Sequence, residues 1–176
     1  RTVDTVLFDK TGTLTKGEPT IVAVEPVGDL DAGTLLALAA AAEADSEHPL
    51  ARAIVRATKE RDLRLEPASG FTSSPAVGVT ATVAGHEIRV GGPRLLEEAG
   101  QPETSIADDW RAEGAIILHV VRDGTMIGGL KLADEVRPES RDAVDALHKL
   151  GVEVVMITGD AEAVGEEEGI ETRRLE

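Results

Sequence analysis

The run from Asp9 to Thr15, Asp-Lys-Thr-Gly-Thr-Leu-Thr, is the strongest candidate for chemistry in this chain. It follows an apolar stretch, beginning at Val3, that is typical of a buried strand. A carboxylate at a strand end, under a tight turn containing Gly12, could attack a phosphoryl group in line and form an acyl phosphate. Turn N–H groups and Thr hydroxyls could hold phosphate oxygens, with Mg²⁺ screening the two anions. These residues predict Asp9 as the nucleophile of a phosphoryl transfer.

A second strand end carries matching polar residues. The Val-rich run from Val152 to Ile157 is typical of a buried parallel strand, and Thr158-Gly159-Asp160 follows it directly. Parallel strands end at the same edge of a sheet, where open α/β folds bind their ligands. We therefore expect Thr158 and Asp160 to lie near Asp9.

The middle of the chain has a different pattern. The sequence predicts a helix over Leu35–Ala42 capped by Asp29 or Asp31, a second helix opened by Pro49, and a loop over 66–75. Two hairpins are predicted, at Ala84-Gly85 and at Asp123-Gly124. His86, His119 and His148 lack ligand-like spacing and are expected to be surface or half-buried residues.

Composition restricts the partners. The 176 residues carry a net charge of −15, which argues against a nucleic-acid or anionic-membrane surface. The chain has no Cys, which excludes disulfides and thiolate metal sites within it. A polyanion such as ATP would need a local site of backbone N–H groups, helix N-termini and Mg²⁺.

The run Asp9–Thr15 matches in full the phosphorylation motif of P-type ATPases. Ser46-Glu47-His48-Pro49-Leu50-Ala51 resembles the Ser-Glu-His-Pro signature of the heavy-metal pumps, Asp134 to Pro138 resembles their Asp-x-x-Arg element, and Thr158-Gly159-Asp160 matches their Thr-Gly-Asp loop. The resemblance implies an α/β fold: an incomplete haloacid-dehalogenase-like, Rossmann-like phosphorylation domain (1–17 and 131–176) with an inserted α+β nucleotide-binding domain (18–130).

The resemblance also implies site residues. Asp9, Thr11, Thr158 and Asp160 would be catalytic, with Mg²⁺ held at Asp9 and Thr11. ATP would bind Glu43, which recognises the adenine edge in the family, together with Glu47, His48, Ala76, Gly78, Gly91 and Gly92. Ala76 stands where the family usually has Gly, and Gly92 where it often has Asn. Without the other motifs, these Gly-x-Gly patterns would indicate only hairpin turns.

The function implied is ATP binding and aspartyl-phosphate formation in a metal-exporting pump, with copper the first choice of ion. Its partners would be the transmembrane and actuator domains of the same pump, on the cytoplasmic side of a prokaryotic plasma membrane, and the transported metal ion would bind elsewhere. The family's later Lys and Gly-Asp-Gly loop do not follow Asp160, so this piece alone should be weak or inactive.

Two alternatives stay open. The first is a haloacid-dehalogenase-type phosphatase, although many of those enzymes have a second Asp, acting as general acid and base, where Thr11 stands. The second is a module that binds ATP and performs no chemistry.

Overall fold

The structure, a computed structural model, describes residues 3–158 and 171–174. It divides into two compact units. The first comprises Arg1–Pro19, Arg111–Gly114 and Asp134–Glu176, and the second comprises Thr20–Trp110 and Ala115–Ala133. The functional boundaries drawn from the sequence, 1–17 and 131–176 around 18–130, stay a prediction.

The elements follow in chain order. The strands are β1 (Thr5–Asp9), β2 (Thr15–Pro26), β3 (Ala68–Ser74), β4 (Gly78–Val83), β5 (His86–Gly91), β6 (Ile116–Arg122), β7 (Thr125–Val136), β8 (Glu153–Thr158) and β9 (Glu171–Arg174). The α-helices are α1 (Ala32–Ala42), α2 (Pro49–Glu60), α3 (Pro93–Ala99), α4 (Ser105–Ala112) and α5 (Pro138–Lys149), and a π-helical turn spans Lys10–Leu14.

The first unit contains a parallel sheet in the order β1-β8-β9. Its core forms between this sheet and α5, where Leu14, Val144, Val154 and Met156 are buried together. The almost continuous apolar sequence of β8 fits its position, because neighbouring elements cover the strand. The predicted parallel pairing of the two strands that precede the polar motifs is confirmed.

The second unit is built on a sheet in the order β2-β7-β6-β5-β4-β3. Helices α1 and α2 cover one face, and Leu35, Leu36 and Ile54 are fully buried there. Asp31 is the cap of α1, accepting from the Thr34 N–H at 2.9 Å. A smaller cluster on α3, β6 and β7 includes Leu95, Leu96, Val121 and Met126.

Both predicted hairpins are confirmed. β4 pairs with β5 and β6 with β7, each antiparallel. Both turn residues have positive φ, 50° and 83° at Ala84-Gly85 and 49° and 80° at Asp123-Gly124. Two successive residues with positive φ suit a two-residue turn between twisted strands.

Two predictions were wrong. Residues 68–74, expected to be loop, form the edge strand β3, which pairs with β4 through a bulge between Ser69 and Thr72. Its mostly exposed Ser- and Thr-rich sequence lacks an apolar alternation, so pairing with β4 creates the strand. His119 is not on the surface but 1% exposed, with Nε2 3.1 Å from Glu103 Oε1. Within the described ranges, no helix has the length and apolarity to cross a membrane.

Candidate functional site

Asp9 is the last residue of β1 and is exposed to solvent. β1 and β8 are in register, with Asp9 opposite Ile157, so the backbone of Thr158 follows one residue beyond the pair. The side chains of Thr11 and Thr158 lie outside the described part of the chain, and so does Asp160 altogether. The backbone alone therefore brings the two motifs to one edge of the sheet.

The turn after Asp9 is held by a hydrogen bond and by a buried apolar side chain. Gly12 has a φ of +80°, a conformation that favours glycine, and its N–H donates to Thr15 Oγ1 at 3.1 Å. Leu14 is buried in the core beside Val144 and Met156. The turn is held by its apolar Leu and by a hydroxyl, which leaves the Asp9 carboxylate at an exposed strand end.

Asp134 braces the segment that follows this turn. Its Oδ2 accepts from Thr15 Oγ1 at 2.5 Å and from the Gly17 N–H at 3.2 Å, and its Oδ1 accepts from the Glu18 N–H at 3.1 Å. Arg137 Nε donates to the Thr15 carbonyl at 3.0 Å. The Asp-x-x-Arg element singled out in the sequence thus acts on the phosphorylation motif through Thr15.

The described residues contain no group of three or more His, Cys, Asp or Glu arranged to hold a metal ion. Mg²⁺ does not require such a cage, because it usually keeps several waters and binds one or two carboxylates together with substrate phosphates. The exposed carboxylate of Asp9 fits that manner of binding, whereas a Ca²⁺-like site with many protein oxygens does not fit.

A cleft of about 330 Å³ opens in the second unit, within the size range of ligand pockets. It lies where the end of α1 and the start of α2 meet the loop before β4. Its lining residues are Glu43, Ser46, His48, Leu50, Ser73, Ser74, Pro75, Ala76, Val77, Gly78, Val79, Gly92 and Leu118. Five of the seven residues predicted to bind nucleotide are among them: Glu43, His48, Ala76, Gly78 and Gly92.

Glu43 ends α1 and is 6% exposed, although it is a charged residue type. Its Oε2 is buried and has no hydrogen-bond partner in the described structure. Burial raises the pKa of the Glu43 carboxyl, and a hydrogen bond with the Ser46 side chain opposes that rise. Buried polar atoms are normally hydrogen-bonded, so this oxygen is free to pair with a group that enters the cleft.

His48 is exposed and serves as the N-cap of α2. Its Nδ1 accepts from the Leu50 N–H at 3.2 Å, and Pro49 occupies the first helical position. Because Nδ1 is used as an acceptor, Nε2 carries the proton of the neutral ring. His48 is therefore a helix cap whose ring face and Nε2–H remain available at the cleft.

The glycines at and beside the cleft differ in how much room their surroundings leave for a side chain. A Cβ on Gly78 would lie 2.1 Å from the Val90 carbonyl oxygen, and one on Gly91 would lie 1.9 Å from the Val77 carbonyl oxygen. These two glycines allow adjacent backbones to approach, and Gly91 is buried in the sheet, outside the cleft lining. A Cβ on Gly92 would meet nothing within 4 Å. Ala76 has a left-handed φ of +62°, which suits the Gly that the family usually places there.

Glu47 is exposed and does not line the cleft; its carbonyl accepts from Arg52 Nη1 at 2.5 Å. The assignments of Glu47 and Gly91 to nucleotide stay predictions. Sequence reasoning overlooked Ser73, Ser74 and Leu118, which also line the cleft. The two serines lie in the segment that was predicted to be loop. Leu118 has the sequence pattern of an ordinary core strand residue, so none of the three carried a distinguishing signal.

The sequence matches the haloacid dehalogenase-like hydrolases over residues 3–171. It is 39% identical to the probable copper-transporting ATPase PacS of Synechococcus elongatus over 97% of this chain and 24% of that protein. The chain thus spans about a quarter of the length of the curated relatives it matches.

Solved structures agree. A zinc-transporting PIB-type ATPase in the E2.Pi state superposes with a TM-score of 0.82 at 32% identity, covering 98% of this chain and 29% of that one. The catalytic domain of the CPx-ATPase CopB-B, studied upon nucleotide binding, gives 0.74 at 26% identity, covering 98% and 61%. The chain belongs to the haloacid dehalogenase-like hydrolases, and it corresponds to the phosphorylation and nucleotide-binding region of heavy-metal P-type ATPases.

Proposed function

We propose that this chain binds ATP in the cleft of its second unit and takes up the γ-phosphoryl group on Asp9 as part of a metal-exporting P-type ATPase. The observation that carries the proposal is the parallel register of β1 and β8, which brings Asp9, the first residue of the Asp-Lys-Thr-Gly-Thr motif, beside the start of the Thr-Gly-Asp loop. The names of the curated relatives favour copper as the exported ion. The partners proposed are the transmembrane and actuator domains of the same pump, with this region on the cytoplasmic side.

The reaction on Asp9 is a direct displacement. A carboxylate oxygen of Asp9 forms a bond to the γ-phosphorus, the bond to the β–γ bridging oxygen breaks, and ADP leaves with the electron pair. Mg²⁺, when bound beside Asp9, neutralises charge on the phosphoryl oxygens. Thr11 replaces the second Asp of many phosphatases, so the acyl phosphate lacks the acid–base group that would speed its hydrolysis.

Asp134 and Arg137 serve the reaction as positioning residues. Both contact Thr15, whose hydroxyl in turn accepts from the Gly12 N–H. Because a small misplacement of a reacting group can cost about 10²-fold in rate, this brace is expected to affect turnover.

The cleft supplies the base site. We assign the adenine edge to Glu43 and the ring face to His48, with Gly92 and Ala76 at the cleft wall. Within the described chain no Lys or Arg lines this cleft. The cleft therefore suits the neutral base and the ribose better than it suits the triphosphate.

Phosphorylation of Asp9 can be tested with γ-labelled ATP in the full-length pump supplied with its metal ion. We expect an acid-stable mark that hydroxylamine removes, as for an acyl phosphate. Asp9→Asn should abolish it, because an amide is a poor nucleophile. Asp142→Asn, which alters an exposed Asp on α5, is the matched control and should keep the mark. A mark that survives Asp9→Asn would refute the nucleophile.

Base binding can be tested separately by titrating the 176-residue chain with a non-hydrolysable ATP analogue. His48→Ala removes both the ring and the cap, whereas His48→Asn keeps a good N-cap side chain and removes only the ring. If the ring contacts the base, both variants should lose about 1–2 kcal/mol of binding. Normal binding by His48→Asn, with loss only in His48→Ala, would assign His48 to the helix alone.

A further inference from the structure

Glu43 meets its cleft in an unusual electrostatic setting. Of the residues that line the cleft, only Glu43 and His48 have ionisable side chains, and the loop before β4, the start of α3 and β6 contribute Ser, Pro, Ala, Val, Gly and Leu. The Ser46 side chain opposes the rise of the Glu43 pKa, and Glu43 Oε2 is buried without a hydrogen-bond partner in the described structure. An ionised carboxylate here would therefore be buried without a compensating cation.

A neutral carboxylic acid would suit the same place better. Burial raises the pKa of the Glu43 carboxyl, so its protonated form persists to a higher pH than that of an ordinary glutamic acid. A protonated carboxyl group carries one O–H donor and one carbonyl acceptor, whereas a carboxylate only accepts. Buried acids kept neutral so that they can donate are known in other enzymes.

We propose that Glu43 reads the base as a neutral acid, donating to the adenine ring nitrogen N1 and accepting from the 6-amino group, so that the preference for adenine over guanine depends on the protonation of Glu43. This inference rests on the proposed nucleotide function of the cleft. The acid matches both positions of the adenine edge with two parallel hydrogen bonds. A carboxylate would accept from the amino group but would face the lone pair of N1.

Guanine presents a different pattern of donors and acceptors, which favours the ionised form of Glu43. Its N1–H and 2-amino group are two adjacent donors, which a carboxylate can accept together. The neutral acid tolerates guanine, since it can accept from N1–H and donate to O6. Ionisation of Glu43 thus weakens adenine binding and strengthens guanine binding, and the ratio of the two affinities is the sensitive quantity.

The experiment measures the dissociation constants of ATP and GTP for the full 176-residue chain between about pH 5.5 and about pH 8, above the ordinary range for Glu. Protonation of the triphosphate affects both nucleotides alike and cancels in the ratio, as do contacts of the His48 ring with the base face. We expect the ratio of ATP to GTP affinity to fall about tenfold or more as pH rises, the scale of one buried hydrogen-bonding group left unpaired.

Glu43→Gln is the decisive variant. Its amide is always neutral and offers both a donor and an acceptor, so it should hold the ratio near the wild-type value at low pH and lose the pH dependence. Glu43→Ala should weaken ATP binding at low pH and give a ratio that does not change with pH. A wild-type ratio that does not change with pH, or a Glu43→Gln ratio that changes as the wild type does, overturns the inference.

The same titrations distinguish failure of the proposed nucleotide site from failure of the neutral-acid inference. If neither ATP nor GTP binds the wild-type chain at any pH, the proposed function of the cleft is wrong. If both nucleotides bind and the ratio is constant, the cleft is a nucleotide site and only the neutral-acid reading falls.

Discussion

At the scale of single residues, several side chains of the cleft have a structural duty as well as a proposed binding role. His48 caps α2 through Nδ1, and the Ser46 hydroxyl accepts from the His48 N–H at 3.4 Å. Ala76 holds a left-handed conformation in the loop that leads to β4. Substitutions here report on function only when a second variant removes the structural contribution.

Ala76→Gly is expected to stabilise the chain. The left-handed conformation costs an L-residue about 1–2 kcal/mol, which glycine does not lose. The greater freedom of glycine in the unfolded chain offsets about 0.4–1 kcal/mol of this gain, so the net stabilisation should be about 0.5–1 kcal/mol. Urea unfolding measures it. Ala84→Gly is the matched control, because Ala84 has a similar φ of +50° in a hairpin turn away from the cleft.

Both variants should gain similar stability, but only Ala76→Gly should change ATP affinity, because only Ala76 lines the cleft. Destabilisation by either substitution would show that the loop does not hold the left-handed conformation in solution.

At the scale of elements, the sheet beneath the cleft depends on close backbone approach. Gly78 and Gly91 are paired between β4 and β5, and Gly91 also pairs with His119 on β6. A side chain on either glycine would collide with a carbonyl group of the neighbouring segment. The Gly-rich pattern at these positions is a packing requirement as much as a feature for ligand access.

Gly91→Ser and Gly92→Ser form a matched pair on adjacent residues. Gly91→Ser should destabilise the second unit by about 2–3 kcal/mol, because the added Cβ has no room beside the Val77 carbonyl. Gly92→Ser should be neutral or slightly stabilising, since its Cβ enters open space and Ser is a favourable N-cap for α3. Thermal unfolding distinguishes them, and equal effects would contradict this account of Gly91.

A second element-scale device is the end of β7, where Asp134 accepts three hydrogen bonds from the segment after the phosphorylation motif. Asp134→Ala should cost about 2 kcal/mol or more, as expected for hydrogen bonds to a charged group that is half buried. Glu135→Ala removes the neighbouring carboxylate, whose 2.8 Å contact with Lys16 is exposed, and should cost less than about 1 kcal/mol.

The measurement for this pair is chemical unfolding of both variants, followed by the phosphorylation assay in the full-length pump. Loss of the acyl phosphate in Asp134→Ala at a temperature where the chain is folded would support a positioning role. If Glu135→Ala lost more stability and more acyl phosphate than Asp134→Ala, the positioning role would have been assigned to the wrong residue.

At the scale of the whole molecule, the two compact units have separate cores. The candidate base site belongs to the second unit alone, since all its lining residues fall within Thr20–Trp110 and Ala115–Ala133. Asp9, Thr15 and Asp134 belong to the first unit. Binding and phosphoryl transfer are therefore expected to be separable by mutation.

We expect ATP to protect the second unit in particular. A ligand at about 100 times its dissociation constant stabilises the state that binds it by about 2.7 kcal/mol. Hydrogen exchange should slow around α1, α2 and β4, while the core at Leu14, Val144 and Met156 should exchange as before. Asp9→Asn should not change the result. Protection confined to the first unit would move the nucleotide site away from the cleft.

Much of this organisation could be predicted from the sequence, because it rests on local patterns. The Val-rich run at 152–157 and the apolar stretch before Asp9 predicted two parallel strands, and Asp123-Gly124 predicted a hairpin. The choice between Asp29 and Asp31 as cap of α1 could not be made from the sequence, and the structure selected Asp31. Motif spacing likewise pointed to Asp9, Glu43 and His48, although their chemical roles stay proposals.

The remaining features depend on neighbours that are distant in sequence. β3 forms because β4 offers an unpaired edge, and His119 is buried because α4 and the strands around it enclose that face. The unpartnered oxygen of Glu43 and the two carbonyl oxygens that exclude side chains at Gly78 and Gly91 exist only once the chain has folded. The sequence by itself determined which residues carry the chemistry, because reactivity belongs to residue types and their spacing. Only the tertiary structure decided burial, close approach and missing hydrogen bonds, because these are properties of the packed neighbourhood.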